Sequence, residues 1–205
     1  MTTADTKAFV AALARQSTAT VHEALGKKGA LPSGIKPVAK GMTLCGPAFT
    51  VNSPPMDNLN MHDALAQAKP GDVLVVTVSG HYEAGYWGEI MAVAAQSRGI
   101  AGLVIDGCVR DSRELARMNF PVFSRGLCIR GTTKHGGGIL AAPLAIGDVV
   151  ISQGDMILGD DDGVVVVAPE DFTTIVEKSE KRVAAEDKIM ARLRAGETTL
   201  DIYKF

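Results

Sequence analysis

The chain has 205 residues, of which 46% are hydrophobic and only 5% aromatic. This length supports one sizeable core, so we predict a single domain over residues 1–205, with its core at about 20–168 and a C-terminal helix and tail used in assembly. The 21 basic and 23 acidic residues nearly cancel, and no Lys/Arg block stands out. This composition argues against nucleic acid or a membrane as partner and favours a small polar or anionic molecule.

The cysteines and the N-terminal segment indicate the compartment. Cys45, Cys108 and Cys128 are an odd number without CxxC spacing, which argues against a disulfide framework and a zinc knuckle. No basic segment followed by a long apolar one opens the chain, and no run approaches the roughly 18 apolar residues of a membrane span. We therefore expect a cytoplasmic protein.

The first part of the chain alternates between helical and strand patterns. Residues 5–25 carry apolar side chains at helical spacings interrupted near "RQSTAT", which predicts two short helices. Strands are predicted in "MTLCGPAFTVNSPP" and in "PGDVLVVTVSG". Between them, "MDNLNMHDALAQAK" reads as a helix opened by Asp57 or Asn58.

The middle of the chain predicts a wound α/β section. Helical patterns at 88–98 and 111–119 alternate with a buried strand at 99–106 and another at 120–126. Further on, a Gly-Asp pair precedes a short apolar run in "IGDVVIS" and "QGDMILG", as it does in "PGDVLVV". The fold class is therefore α/β, with a βαβαβ section followed by a β-rich part.

Three adjacent carboxylates in "GDDDGVVVV" resemble a metal site. However, Asp162-Gly163 between two apolar runs is a strong hairpin signal, and no later Glu completes a calcium loop of the required length. We predict a turn here.

The C-terminal segment predicts one long helix over 169–195, with Pro169 in its first turn and Gly196 as its stop. Its apolar stripe includes Glu186, and a carboxylate on such a stripe needs a partner. Three readings stay open: an ion pair with Arg182 within the helix, a partly exposed stripe, or a role in a site.

Arg110 and Asp111 follow the predicted strand at 101–106, where open α/β sheets place their ligands. The structural alternative is that Asp111 caps the next helix, with Glu114 completing a capping box. Capping does not explain Arg110, because the dipole at a helix start disfavours a cation there. An anionic ligand would explain it.

A second candidate lies in "GYWGEIM", where Gly85 and Gly88 bracket two aromatic residues just before a helix. Free backbone N–H groups of residues 88–91 at that helix start could hold a carboxylate or phosphate, with Glu89 beside them. A plain glycine-led helix start is the alternative.

These segments, in this order, resemble one known family. The run "GPAFTV…PPMDNLNMHDAL…PGDVLVV…WGEIMAVAAQSRGIAGLVIDGCVRDSREL…FPVFSRG…GDDDGVVVV…LRAGE" is similar to the RraA-like family, and within it to the 4-hydroxy-4-methyl-2-oxoglutarate aldolases. The likeness runs from about residue 20 to the C-terminus. Departures at Thr77 and in "KHGGGILAAPL" leave the choice of substrate open.

The resemblance implies a β/β/α swivelling-domain fold with a long C-terminal helix and assembly into homotrimers or homohexamers. It also implies a metal-dependent aldolase that uses Mg²⁺ or Mn²⁺. Such an enzyme cleaves 4-hydroxy-2-oxo acids, such as 4-hydroxy-4-methyl-2-oxoglutarate or 4-carboxy-4-hydroxy-2-oxoadipate, to pyruvate. It decarboxylates oxaloacetate through the same pyruvate enolate.

The resemblance also implies roles for individual residues. Asp111 matches the metal-binding aspartate and Arg110 the substrate-binding arginine. Glu89 and Glu186 match acidic positions that hold the waters around the metal, with Glu186 contributed by a neighbouring subunit. The carboxylate-binding backbone is matched by Gly88, Glu89, Ile90 and Met91.

Three other functions remain as alternatives. A non-catalytic regulator of the same family would bind a ribonuclease or another partner protein. A phosphohistidine carrier would use His135, which precedes three glycines, but 205 residues leave no room for a companion nucleotide-binding domain. A Schiff-base aldolase would need a buried lysine, for which Lys134 is the candidate.

Overall fold

The computed structural model describes residues 3–204. Its centre is an eight-stranded sheet in the order β1-β5-β4-β3-β2-β9-β10, with β6 pairing the end of β2 and β7 and β8 forming a separate hairpin. The strands are β1 (Lys36–Pro37), β2 (Leu44–Asn52), β3 (Val73–Thr77), β4 (Gly102–Val109), β5 (Val122–Leu127), β6 (Ile139–Leu140), β7 (Leu144–Ile146), β8 (Val149–Ile151), β9 (Met156–Asp160) and β10 (Gly163–Val167).

Seven α-helices accompany these strands within the described residues. They are α1 (Thr3–Leu13), α2 (Thr18–Ala24), α3 (Leu59–Gln67), α4 (Glu89–Ser97), α5 (Ser112–Met118), α6 (Ile175–Arg194) and α7 (Thr199–Tyr203). Strands β2 to β5 are mutually parallel and are joined by α3, α4 and α5, which confirms the predicted βαβαβ section. None of the helices in residues 3–204 is long and apolar enough to cross a membrane.

The sheet curves into a nearly closed barrel. Leu31 donates its backbone N–H to Val164 of β10 at 2.9 Å, and a few residues later β1 pairs with β5. The chain between them therefore joins the two edges of the sheet. One core fills the interior of this barrel around Phe123, a second lies under α3, α4 and α5, and a third lies between the β9–β10 hairpin and helices α1, α2 and α6.

The repeated Gly-Asp pairs have a common structural basis in two of the three cases. The carboxylate of Asp72 accepts the backbone N–H of Lys69 at 2.8 Å, and that of Asp155 accepts the N–H of Ser152 at 2.8 Å. Each aspartate thus closes the turn that precedes β3 or β9, because its side chain satisfies a backbone donor three residues earlier.

Two boundaries differ from the sequence predictions, and a third agrees with them. Strand β4 continues to Val109 and all its residues are buried, so the predicted end at residue 106 was wrong. The segment from Pro169 to Asp171 forms a 3₁₀ turn and α6 begins only at Ile175, so the start predicted at 169 was also wrong. Gly196, with φ of 98°, ends α6 as predicted.

The predicted turn in "GDDDGVVVV" is confirmed. Strands β9 and β10 pair antiparallel with Asp160 opposite Gly163, which leaves Asp161 and Asp162 as the two turn residues. Asp160 accepts hydrogen bonds from the backbone N–H and the hydroxyl of Thr18, at 2.8 and 2.6 Å.

Candidate active site

A cavity of about 270 Å³ lies at the carboxyl end of β4. This is the edge where parallel α/β sheets place their ligands, because the loops that follow the strands meet there. Segments distant in sequence form its walls. The lining residues are Asn58, His62, Gly85, Tyr86, Trp87, Gly88, Ile90, Met91, Arg110, Asp111, Gly131, Thr132 and Lys134.

The structure places Arg110 and Asp111 together on one wall, immediately after β4. Asp111 has φ of 57°, in the left-handed region that aspartate tolerates better than most residues. Its Oδ2 lies 3.8 Å from Arg110 Nε, and both side chains are about two-fifths exposed. A cation and a carboxylate thus face the same solvent-accessible cavity.

The capping hypothesis for Asp111 is wrong. Asp111 occupies the position before α5, but its side chain makes no capping hydrogen bond to that helix, and no capping box with Glu114 forms. Asp111 Oδ2 instead accepts the backbone N–H of Glu89 at 3.0 Å, at the first residue of α4. The carboxylate therefore connects the β4 edge to the start of a different helix.

The start of α4 provides the backbone donors predicted from "GYWGEIM". The N–H of Glu89 is bonded to Asp111, and the N–H of Ala92 is bonded to Gly88. Within residues 3–204, the N–H groups of Ile90 and Met91 have no hydrogen-bond acceptor. Both residues line the cavity, so two free donors at a helix N-terminus are available to an anion.

The two glycines in this segment permit close contact with the Arg110–Asp111 wall. A Cβ on Gly88 would lie 2.3 Å from Asp111 Oδ2, and one on Gly85 would lie 2.2 Å from the carbonyl oxygen of Cys128. Between them, Tyr86 and Trp87 are at most 1% exposed. The aromatic side chains anchor the segment in the core while the glycines let its backbone approach the charged residues.

Sequence patterns do not predict the second wall of the cavity. It consists of Asn58, His62 and the segment 131–134. Of these, Asn58 is predicted only as a helix start and Lys134 only as the lysine of a Schiff-base aldolase. Lys134 Nζ donates to Asn58 Oδ1 at 3.2 Å, while Asn58 Nδ2 donates to the carbonyl oxygen of Tyr86 at 2.8 Å. Burial and the charge of Lys134 lower the pKa of His62, so its imidazole is neutral near pH 7.

The carboxylates of the remaining predicted residues, Glu89 and Glu186, are not part of the cavity lining. Glu89 is exposed and contributes its backbone rather than its carboxylate to the contacts described above. Glu186 lies on α6, where its Oε1 is 2.8 Å from Arg182 Nη2, with its side chain 41% exposed. Within one chain Glu186 is therefore an intrahelical ion-pair residue and not part of the cavity wall.

Asp111 is suited to hold a divalent cation as a single protein ligand. Its Oδ1 has no hydrogen-bond partner among the described residues, although Oδ2 is used by Glu89. No group of three or more His, Cys, Asp or Glu side chains in residues 3–204 is arranged to hold a metal. One carboxylate beside an open cavity fits Mg²⁺ or Mn²⁺, since such ions keep much of their hydration in proteins.

Comparison with known proteins adds to this geometry. Residues 18–166 match the RraA-like family model, described as Aldolase/RraA. A protein of Halalkalibacterium halodurans, named "Putative 4-hydroxy-4-methyl-2-oxoglutarate aldolase", is 37% identical over 87% of this chain and 83% of its own. An uncharacterised protein of Methanocaldococcus jannaschii is 32% identical over 85% of each chain.

Solved structures show the same architecture. An uncharacterised protein from Pseudomonas syringae superimposes with a TM-score of 0.85 at 31% identity, over 94% of this chain and 91% of that one. Streptomyces coelicolor RraAS2, described as an unusual member of the RNase ES inhibitor RraA protein family, gives a TM-score of 0.79 at 28% identity, over 89% and 95%. The family match, the relatives and the shared fold together establish that this chain belongs to the RraA-like family.

Proposed function

We propose that this chain is a divalent-metal-dependent pyruvate aldolase. It cleaves 4-hydroxy-2-oxo acids of the 4-hydroxy-4-methyl-2-oxoglutarate type and also decarboxylates oxaloacetate. One observation carries the proposal: a single cavity combines Arg110, an Asp111 carboxylate oxygen and the N–H groups of Ile90 and Met91. Among residues 3–204, that oxygen and those N–H groups have no hydrogen-bond partner. These groups match the needs of a 2-oxo acid whose carbonyl oxygen gains negative charge.

The chain's own groups divide the substrate between the two walls. The N–H groups of Ile90 and Met91 bind the C1 carboxylate, because a helix N-terminus favours an anion. Arg110 adds a fixed positive charge where the enolate oxygen develops, which lowers the barrier for both carbon–carbon cleavage and decarboxylation. Both reactions leave the same pyruvate enolate, so one site serves for both.

Asp111 would hold the metal ion. When bound, Mg²⁺ or Mn²⁺ supplies a Lewis acid for the 2-oxo group. Asp111 is itself held in place by the backbone N–H of Glu89, so the carboxylate is oriented before any ligand arrives.

The second wall, which contains Asn58, His62 and Lys134, binds the part of the substrate beyond the 2-oxo group. Lys134 supplies a cation for a second carboxylate, and its bond to Asn58 directs its ammonium group toward the cavity. A ring nitrogen of His62 accepts the proton of the C4 hydroxyl, because a neutral imidazole is the base that this wall provides near pH 7.

Replacing the imidazole tests this role. His62→Gln should lower kcat by about 100-fold with KM nearly unchanged, because the variant still binds the substrate but lacks the base. An unchanged kcat would assign the proton to another group.

The direct test is pyruvate release from a panel of 4-hydroxy-2-oxo acids and from oxaloacetate, with and without chelator. Chelation should abolish release, and Mg²⁺ or Mn²⁺ should restore it. Full activity in excess chelator would reject the metal dependence, and covalent trapping at Lys134 by borohydride would show a Schiff-base mechanism instead. No pyruvate from any member of the panel would reject the aldolase.

Regulation of a ribonuclease is the second candidate, favoured by the likeness to Streptomyces coelicolor RraAS2. The two functions differ in their dependence on the cavity. A regulator would inhibit its partner ribonuclease equally well with Asp111→Asn, whereas the aldolase would lose pyruvate release. The parent protein and Asp111→Asn are therefore compared in two assays, inhibition of a purified ribonuclease and pyruvate release.

A further inference from the structure

Asp57 connects the start of α3 to the segment 133–136, which includes Lys134. Its carboxylate accepts four hydrogen bonds: from the N–H groups of Leu59, His135 and Gly136 and from the hydroxyl of Thr133. Three of these donors belong to the segment 133–136, more than 70 residues away in sequence. No part of the proposed chemistry uses this carboxylate.

The Asp57 carboxylate is both buried and fully engaged. The residue is 3% exposed. Burial raises the pKa of its carboxyl, but the hydrogen bonds from Leu59, His135, Thr133 and Gly136 outweigh burial and bring the pKa to about 2. Asp57 is therefore an anion at every pH near neutrality, and its hydrogen bonds are of the stronger, charge-assisted kind.

The neighbours of Asp57 connect the segment 133–136 to the wall that contains Tyr86 and Arg110. Met56 donates its N–H to the Tyr86 hydroxyl at 2.9 Å, and its carbonyl oxygen accepts the N–H of Thr133 at 2.7 Å. Asn58 contacts the backbone of Tyr86 and the ammonium group of Lys134. Residues 56–58 thus lie between the wall of Tyr86 and Arg110 and the wall of Lys134, and contact both.

The segment that follows Lys134 has little means of holding its own shape. Gly136 and Gly137 have φ of 79° and 98°, a conformation open to glycine that carries a high entropic cost of ordering. The backbone N–H groups on either side of this turn are fixed by Asp57 and by Asn60, which accepts the N–H of Gly138 at 2.8 Å. Removing the carboxylate charge should therefore loosen the segment locally rather than unfold the domain.

We propose that Asp57 is a positioning residue that fixes the Lys134 wall at a set distance from the Arg110 wall, and so gives the enzyme its preference for substrates long enough to contact both. This inference rests on the proposed function. Pyruvate itself needs only the Arg110 wall, whereas a 4-hydroxy-2-oxo acid with a second carboxylate needs both walls in register.

The test compares Asp57→Asn with Asp155→Asn. Both aspartates are buried and accept backbone N–H groups, but Asp155 lies in the turn before β9, away from the cavity. In Asp57→Asn an amide replaces one acceptor oxygen, so the donors of Thr133, His135 and Gly136 cannot all remain paired. Thr133→Val, which removes one of the four donors, with Thr133→Ser as its conservative partner, tests the same contact if Asp57→Asn folds poorly.

Two measurements are made on each variant. Hydrogen exchange should show that the amides of residues 133–136 exchange at least about 10-fold faster in Asp57→Asn, with residues 88–92 unchanged. Kinetics should show KM for the dicarboxylic 4-hydroxy-2-oxo acid raised about 10-fold with a smaller change in kcat. The Kd of pyruvate, measured by calorimetry with Mg²⁺, should stay unchanged, and Asp155→Asn should change none of these.

The exchange result does not depend on the reaction, so it separates this inference from the proposed function. Unchanged exchange at 133–136 in Asp57→Asn and Thr133→Val would reject the positioning role even if the enzyme is an aldolase. The role is also rejected if the Kd of pyruvate and the KM of the dicarboxylic acid rise by the same factor, because the effect would then be general. Faster exchange in Asp57→Asn without any aldolase activity in the parent protein would keep the structural role of Asp57 but reject the proposed function and, with it, the substrate preference.

Discussion

Two sites in this molecule place aspartate at the end of a strand, and they use it in opposite ways. At the β9–β10 turn three adjacent aspartates look like a metal site, yet Asp160 accepts three hydrogen bonds, two from Thr18 and one from the N–H of Asp162. Asp161 accepts the N–H of Gly41 at 2.8 Å. At the end of β4 a single aspartate, Asp111, accepts one N–H and leaves an oxygen facing a cavity.

The difference shows that the number of carboxylates in a segment does not identify a binding site. What matters is whether the carboxylate oxygens are already satisfied by the protein, because a satisfied oxygen must lose a hydrogen bond before it binds an ion. The turn stabilises the attachment of α2 to the hairpin, whereas the β4 edge retains unused binding capacity.

The largest effect is expected for Asp111→Asn. Asparagine keeps an acceptor for the Glu89 N–H and tolerates the left-handed backbone, so the free energy of unfolding should change by no more than about 1 kcal/mol. The loss of charge should lower pyruvate release about 1,000-fold and abolish Mg²⁺ binding measured by calorimetry. A variant that unfolds easily but keeps its turnover would make Asp111 structural, like the aspartates of the turn.

Gly88→Ala should have a smaller but still large effect, although it changes no charge. The backbone of Gly88 is extended, with φ of −155°, so alanine adopts it without strain. The new methyl group would lie 2.3 Å from Asp111 Oδ2 and must displace it. We expect about a 100-fold loss of kcat/KM, as for other small displacements of a catalytic group.

The matched control for this variant is Gly126→Ala on β5. There the new Cβ has one neighbour within 4 Å among the described residues, Cys108 Sγ at an ordinary 3.7 Å, and the position lies outside the cavity wall. This variant should keep its activity within about twofold. Full activity in Gly88→Ala would show that the position of Asp111 is not critical.

Glu186 sharpens the comparison further, since it is a paired carboxylate for which the resemblance implies a role in the site. Within one chain it pairs with Arg182, so a catalytic role requires a neighbouring subunit. Arg110→Ala and Glu186→Ala should then each be nearly inactive. Subunits of the two variants, dissociated, mixed equally and reassembled, should restore about a quarter of the sites, because only those combine both intact residues.

The readout is pyruvate release by the reassembled mixture, with subunit exchange confirmed by mass spectrometry. If Glu186→Ala alone keeps its activity, its carboxylate is only an ion-pair partner of Arg182. If both variants are inactive and the exchanged mixture stays inactive, the shared site is rejected.

The sequence predicts the framework well because its signals are local. The apolar runs that became β2 to β5, the Gly-Asp turns and the glycine stop of α6 all depend on residues within a few positions of one another. Strand β4 is longer than predicted because Gly107 and Cys108, which look like a loop in sequence, are small enough to continue a buried strand.

The site was only half predictable, for the same reason. Arg110, Asp111 and the start of α4 follow from strand-end and helix-start rules. The partner of Asp111 did not follow, because its left-handed backbone turns the carboxylate away from α5 toward Glu89. The Lys134 wall depends on Asp57 contacts spanning 76 to 79 residues, and the run of glycines in "KHGGG" was the one local sign of it.

The smallest effect, and the sharpest contrast with Asp111, is expected for Asp160→Asn. The carboxylate of Asp160 binds the N–H and the hydroxyl of Thr18, the first residue of α2, so it stabilises a helix N-terminus from another part of the chain. The amide must present its NH₂ group to a backbone N–H, either that of Thr18 or that of Asp162, and this donor loses its acceptor. We therefore expect the free energy of unfolding to fall by about 1 to 2 kcal/mol in chemical denaturation, with pyruvate release per folded molecule unchanged.

Thr18→Val should lower the free energy of unfolding by a similar amount. The double variant should lose less than the sum of the two, because both substitutions remove the same contact. Additive losses would mean that the two residues act separately. A loss of activity at unchanged stability would place Asp160 in a functional site and remove the distinction between the two strand ends.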